Sequence, residues 1–143
     1  MTRVRAGRRT IRRPAGGDPL TGLPPRAALE NYLAARVGGG CGLAVVVLDV
    51  DGFQDVNAAL GYPAGDRLLV ALARRLSQCL AESSAERGPA VLTRLGADRF
   101  AAAVPADTGP GGALEAAVRL AAAASSGAAA AASSGASSGA ASA

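Results

Sequence analysis

Acidic side chains stand at the ends of two predicted strands, an arrangement that can hold a divalent cation. The apolar run over residues 42–50 carries Asp49 as its last residue but one, and Asp51 follows the run directly, while Asp98 lies in a turn between two further apolar segments. If that hairpin pairs beside the first strand, the acids converge, and Mg²⁺ binds in proteins through one or two carboxylates plus substrate phosphates. The pattern predicts a Mg²⁺–nucleotide site. The alternative for Asp49 and Asp51 is turn chemistry, because Asp-Gly is a common turn pair.

Other residue types narrow the chemistry further. Gly96, two residues before Asp98, lets backbone N–H groups approach a phosphate closely. The chain contains no histidine, which excludes histidine as a general base or a metal ligand. Cys41 and Cys79 belong to no Cys-x-x-Cys pair, so the sequence indicates no redox or zinc motif.

The elements that would position these acids follow from hydrophobic spacing. The pattern predicts the order helix, strand, helix, helix, hairpin, helix. The continuous β-branched run at 42–50 predicts a central strand that is covered on both faces. Besides this strand, the predicted helices are at 25–37, 53–60 and 113–124, and the predicted strands of the hairpin are at 91–95 and 99–104. A longer helix is predicted to start at Gly65-Asp66 and to end before a loop at 83–90. Four leucines at helical spacing form its buried stripe: Leu69, Leu72, Leu76 and Leu80.

Charge and composition divide the chain into three parts. Six of the fifteen arginines lie in residues 1–13, so the net charge of +4 belongs to the leader and the rest carries −2. The composition predicts a disordered Arg-rich leader over 1–17, a folded part over 18–120 and a low-complexity Ala/Ser/Gly tail over 121–143, which is either flexible and partly helical or a plain extension.

The same composition bounds location and partners. A leader without interleaved aromatic residues argues against nucleic acid as the main partner. No segment is both long and apolar enough for a membrane span, and no leucine-rich stretch follows the arginines as in a signal peptide. We therefore expect a cytoplasmic protein.

Four motifs, in order and spacing, resemble those of GGDEF domains, the diguanylate cyclase family. Asp18-Pro-Leu-Thr-Gly-Leu-Pro resembles the family's first motif. Residues 49–57 resemble D-x-D-x-F-K-x-x-N, residues 60–66 resemble F/L-G-H-x-x-G-D, and residues 94–100 resemble R-x-G-G-D/E-E-F. The resemblance implies an α/β (α+β) nucleotide-cyclase-like palm, in which helices flank a central, mostly antiparallel sheet whose C-terminal strands are missing here.

The resemblance also implies an activity and a role for each matching residue. The family makes cyclic di-GMP from two GTP molecules, one held by each subunit of an antiparallel homodimer. By this resemblance Asp49, the Val50 carbonyl and Asp98 would bind the metal, and Asp98 would also help activate the 3′-hydroxyl. Asn57 and Asp66 would recognise the guanine. Gly96 and the Ala97 backbone would contact the phosphates. Two Mg²⁺ ions would polarise the α-phosphate.

Several positions depart from the family pattern on the phosphate side of this site. Ala97 replaces the second signature glycine, where a methyl group can obstruct phosphate or disfavour a positive φ, and Arg99 replaces a glutamate that activity needs. Gln54 replaces a lysine and Tyr62 a histidine. In the product-binding R-x-x-D motif the arginine falls on Arg87 but the aspartate position is Ala90.

These departures predict a degenerate GGDEF domain rather than an active cyclase. The first interpretation is a catalytically inactive module that binds guanine nucleotide or regulates cyclic di-GMP signalling. The alternatives are an active diguanylate cyclase and a non-catalytic interaction or remnant domain. The predicted partners are GTP or another guanine nucleotide, together with a second copy of the chain or a separate sensor protein.

Overall fold

A computed structural model describes residues 16–107 and 110–137 of the chain, and in those residues it has four helices and three strands. In chain order they are α1 (Arg26–Arg36), β1 (Leu43–Asp49), α2 (Phe53–Leu60), α3 (Tyr62–Arg87), β2 (Val91–Arg94), β3 (Arg99–Pro105) and α4 (Pro110–Ser137). This confirms the predicted order of elements. Residues 1–15, which make up most of the predicted leader, lie outside the described residues.

The three strands form one antiparallel sheet in the order β1-β3-β2. This confirms the mostly antiparallel sheet but corrects the place of β1, which is the edge strand of the sheet that the described residues form and has one open face. Ala44 and Val46 are buried beneath α3 and α4, whereas Val45 and Val47 on the opposite face are exposed. A run of β-branched residues indicates a buried strand but does not show whether one or both of its faces are covered. The central strand of the sheet is instead the alanine-rich β3.

The long helix α3 confirms the predicted leucine stripe and corrects its predicted ends. All four stripe leucines are buried in the main core. The helix begins three residues before Gly65, because Pro63 suits a first turn. It also continues through the predicted loop at 83–90 as far as Arg87. In this extension the Ser83 and Ser84 hydroxyls donate to the carbonyls of Cys79 and Leu80, one turn earlier.

The helix α4 continues to Ser137, well beyond the predicted end at residue 124. Its buried residues include Ala123 and Gly127, which lie against α3. A Cβ atom built on Gly127 would lie 3.1 Å from the Cβ of Arg75, so the two helix backbones approach closely because the side chain is absent. Residues 121–137 are thus helical, although the division of the chain at residue 120 stays a prediction.

The core that supports the site has two parts, one on each face of the sheet. The larger part joins α3 and α4 to the sheet around Phe100, and the smaller one packs Leu29 of α1 against Ala101 and Ala103 of β3. In the part of the chain that the structure describes, no helix has both the length and the apolar character needed to cross a membrane.

Candidate functional site

The pairing of β1 with β3 brings the end of β1 beside the hairpin turn, as the predicted convergence of acids required. Asp49 lies opposite Arg99 in the register. One residue further, the Val50 N–H donates to the Asp98 carbonyl over 2.9 Å. The backbone therefore fixes the two candidate metal-binding segments, 49–50 and 98, side by side.

Arg99 and Asp49 form a two-pronged ion pair at this strand end. The Arg99 Nε lies 2.6 Å from Asp49 Oδ1, and its Nη2 lies 3.3 Å from Oδ2. The hydrogen bond and negative charge of Asp49 raise the pKa of the Arg99 guanidinium above its ordinary value. Both carboxylate oxygens of the first candidate ligand are therefore engaged by an arginine fork, a geometry that matches carboxylate well.

The residues present, in this arrangement, do not fit a Mg²⁺ ion. Mg²⁺ demands near-octahedral oxygen coordination at short distance. Asp49 directs both oxygens at Arg99, which leaves the Val50 carbonyl and Asp98 as the remaining predicted ligands. Across residues 16–107 and 110–137, no group of three or more acidic, cysteine or histidine side chains comes together. A cation that bound both Asp49 oxygens would compete with the positive charge of Arg99.

The signature turn itself is relaxed. The Leu95 N–H donates to the Arg99 carbonyl over 2.8 Å and closes the hairpin, while Gly96 and Ala97 are exposed. No residue other than glycine has a positive φ in the described part of the chain, so Ala97 carries no backbone strain in this turn. Whether its methyl group obstructs a phosphate stays a prediction.

A hydrogen-bonded network that the sequence did not predict joins this turn to the first motif of the chain. Arg94 donates from Nη2 to the Ala97 carbonyl over 2.8 Å, and its Nη1 lies 3.2 Å from each carboxylate oxygen of Asp18. Burial raises the pKa of Asp18, but hydrogen bonds from Thr21 and Arg94 outweigh it and hold that pKa below its ordinary value of 3.8. The sequence offered one signal for this contact: Asp18 in the first motif and Arg94 in the last motif carry opposite charges.

Asn57 lines an open hollow between α2 and the signature turn, which we call the α2 hollow. The other lining residues are Phe53, Gln54, Ala58, Tyr62, Ala97 and Asp98, around a volume of about 470 Å³. Asn57 Oδ1 is buried and has no hydrogen-bond partner among the described residues. The amide fits against α3 only because Gly65 has no side chain, since a Cβ there would collide with Asn57 Oδ1.

The second predicted guanine contact, Asp66, directly follows Gly65, the residue against which Asn57 packs. It is exposed on α3 and lines a hollow between α3 and α4, together with Leu20 and Arg67. The structure brings Asn57, Ala97 and Asp98 together around the α2 hollow, whose lining does not include Asp66.

Two further candidate positions, Asp51 and Arg87, have structural roles. Asp51 is exposed in the turn before α2, where Gly52 has a φ of +67°, in keeping with Asp-Gly turn chemistry. Arg87 at the end of α3 pairs with Glu115 of α4 over 2.9 Å.

The fold defined here, an antiparallel sheet with helices on both faces and a nucleotide-sized hollow beside a hairpin turn, is that of the nucleotide-cyclase-like palm. A family model described as "Diguanylate cyclase, GGDEF domain" matches residues 15–140. The chain belongs to the GGDEF family. Members of this family act in cyclic di-GMP signalling and generally use Mg²⁺.

Three relatives illustrate the match. The diguanylate cyclase DgcP of Pseudomonas aeruginosa is 38% identical over 93 residues, 62% of this chain and 13% of that protein. The cyclic di-GMP phosphodiesterase PdeB of Shewanella oneidensis is 34% identical over 90 residues, 63% of this chain and 10% of that protein. A solved sensory box/GGDEF family protein of Caulobacter crescentus is 40% identical with a TM-score of 0.62, covering 74% of this chain and 67% of that one. The chain thus spans about an eighth and a tenth of the length of the two curated relatives.

Proposed function

We propose that this domain binds a guanine nucleotide without converting it and acts as a regulatory module in cyclic di-GMP signalling. The observation that carries the proposal is the Arg99 fork over Asp49, with its N–O distance of 2.6 Å. At the strand end the acidic residues Asp49 and Asp98 flank the basic residue Arg99. A glutamate at position 99 would leave three negative charges there, which is the field that concentrates divalent cations. With Arg99, the carboxylate of Asp49, which the family resemblance assigns to metal ligation, pairs with a side-chain cation instead.

The α2 hollow supports nucleotide binding independently of the metal. Guanine presents hydrogen-bonding groups on its edges, and Asn57, one of the polar side chains that line the hollow, carries an amide that can pair with them. Its Oδ1 lies buried against Gly65 without a hydrogen-bond partner in the described chain, so a rotation of the amide that turns this oxygen toward a donor of the base would satisfy it. Phe53 supplies an apolar wall. Guanine is therefore the base class that the hollow suits.

The names of the relatives are compatible with a regulatory role. The same kind of domain is found in a protein named as a diguanylate cyclase and in one named as a cyclic di-GMP phosphodiesterase. Membership of the family therefore does not by itself require synthesis by every domain. In this chain Gln54 and Tyr62 also line the α2 hollow in place of the family's lysine and histidine.

The first experiment titrates the purified chain with GTP by calorimetry, once with Mg²⁺ and once with a chelator, and analyses the mixture for cyclic di-GMP. We expect saturable binding that changes little between the two conditions, and no product. Asn57→Ala should weaken binding at least about tenfold, a loss near 1.4 kcal/mol. Asn31→Ala, on the exposed surface of α1, is the matched control. Absence of saturable binding, or sustained product formation, would overturn the proposal.

The second experiment tests the ion pair directly. Arg99→Glu releases Asp49 and adds a third carboxylate, so we expect GTP binding to become stronger with Mg²⁺ than with chelator. Arg74→Glu makes the same charge change at an exposed position on α3 and should leave binding independent of metal. If both variants respond to Mg²⁺ equally, Arg99 does not control the site.

A further inference from the structure

Tyr62 is an aromatic side chain that the fold leaves uncovered. The sequence has four aromatic residues, of which Phe53 and Phe100 are buried in the core. Tyr32 is half-buried, and its hydroxyl donates to the Pro89 carbonyl. The side chain of Tyr62, in contrast, is 77% exposed and forms no hydrogen bond or ring contact with any other described residue. A single exposed apolar side chain needs no explanation by itself, so its meaning depends on where it lies.

The backbone holds Tyr62 at the rim of the α2 hollow. Gly61 joins α2 to α3 with a φ of +84°, a conformation that glycine adopts without strain. The Gly61 N–H donates to the Asn57 carbonyl over 2.9 Å, and the Ala64 N–H donates to the Gly61 carbonyl over 3.1 Å. Tyr62 is the first residue of α3, so its backbone is fixed between the two helices. Its ring lines the hollow and keeps its rotamer freedom.

The α2 hollow therefore offers a base two kinds of contact. Asn57 carries an amide that can pair with the edge of a base, and Tyr62 carries a free ring that can cover its face. Phe53 also lines the hollow, but it is 8% exposed and belongs to the core, so little of its ring is free. Every base has a flat π surface that stacks on aromatic side chains. A tyrosine loses little conformational entropy on stacking, because two torsions fix its ring.

We propose that Tyr62 stacks on the base of the nucleotide in the α2 hollow and makes the hollow prefer a purine to a pyrimidine. The proposal rests on the proposed function, because it concerns the same hollow. A bicyclic purine covers more of the tyrosine ring than a pyrimidine does, so stacking distinguishes the two classes of base. Asn57 then contacts the edge of the purine. Tyr62 contacts the base alone, so the phosphates gain nothing from it.

Calorimetric titration of the full chain with GTP, UTP and inorganic triphosphate tests this role. We expect wild type to bind GTP more tightly than UTP. Tyr62→Ala should weaken GTP binding at least about tenfold, narrow the preference over UTP and leave triphosphate binding unchanged. Tyr62→Phe should bind GTP like wild type, because it keeps the ring. The control is Leu60→Ala, since Leu60 is 71% exposed at the same helix junction and does not line the hollow.

Fluorescence gives a second readout, because the chain contains no tryptophan and Tyr62→Trp places a single reporter at this position. Its emission should change saturably with GTP, at the midpoint that calorimetry gives for the same variant. A wild-type chain without saturable GTP binding would overturn both this proposal and the proposed function. If wild type binds GTP but Tyr62→Ala binds it equally well, the stacking role fails while the proposed function stands. An unchanged tryptophan emission during GTP binding has the same meaning.

Discussion

The contact between Arg94 and Asp18 links the first motif of the chain to the signature turn, and its removal should be measurable. Arg94 is largely buried, with 15% of its side chain exposed. Arg94→Met keeps the apolar stem but deletes the bonds to both Asp18 oxygens and to the Ala97 carbonyl. A hydrogen bond to a charged group contributes about 1.5–3 kcal/mol to stability. Both 3.2 Å contacts to Asp18 come from one Arg94 nitrogen and count as one shared bond, and Thr21 continues to donate to Asp18, so we expect a net loss of about 2 kcal/mol.

Urea denaturation followed by circular dichroism measures this loss. The matched control is Arg26→Met, which breaks an exposed pair with Glu30 and should cost less than about 0.5 kcal/mol. A double-mutant cycle with Asp18→Asn should give a coupling free energy of about 1 kcal/mol or more. A coupling near zero, or an Arg94→Met variant as stable as the control, would refute the linkage between the two motifs.

The pH dependence of the same variant follows from the lowered pKa of Asp18. Because the folded-state pKa lies below the ordinary 3.8, ionised Asp18 stabilises the fold above that value, and the contribution disappears as pH falls through the folded-state pKa. The difference in stability between wild type and Arg94→Met should therefore be full at neutral pH and shrink in acid. A difference that grows in acid would contradict the assigned cause.

Three further substitutions test the support of the site by urea denaturation. Thr93→Val removes a 2.7 Å hydrogen bond from a fully buried hydroxyl to the Pro24 carbonyl and should cost about 1–2 kcal/mol. Gly65→Ala drives a methyl group into Asn57 and should cost about 1–3 kcal/mol, and it should also weaken GTP binding. Phe100→Ala empties a core position that is 1% exposed and should cost about 3–5 kcal/mol. A loss below about 0.5 kcal/mol in any of them would contradict the contact assigned to that residue.

Local patterns in the sequence were sufficient for the elements and for the site segments. The leucine spacing of α3 and the turn composition at Gly96–Asp98 predicted elements that the structure contains. Motif order then predicted that the end of β1 meets the hairpin, which the β1–β3 register confirms. These features depend on residues close in the chain, or on motifs whose order is itself informative.

The errors concern relations between distant residues. Whether β1 is an edge strand or a central strand depends on which strands lie on its far side. The residue types of Val45 and Val47 do not give that information. The extension of α4 depends on Gly127 finding a close neighbour in α3. Likewise the Arg99–Asp49 pair joins residues that are 50 positions apart, so it can be seen only once the strand register is known. The residue type at position 99 predicted a changed charge. Only the pairing of β1 with β3 showed that this charge engages the Asp49 carboxylate.

The distal part of α4 differs from the rest of the core in how its position is maintained. Beyond Leu120 it carries only alanine, serine and glycine, so each residue buries little apolar surface while its backbone bonds remain fully formed. We expect such a segment to open by local unfolding at a lower free energy than the cooperative unit around Phe100. Opening would separate Gly127 from Arg75 and expose the α3 surface that the two helices now share.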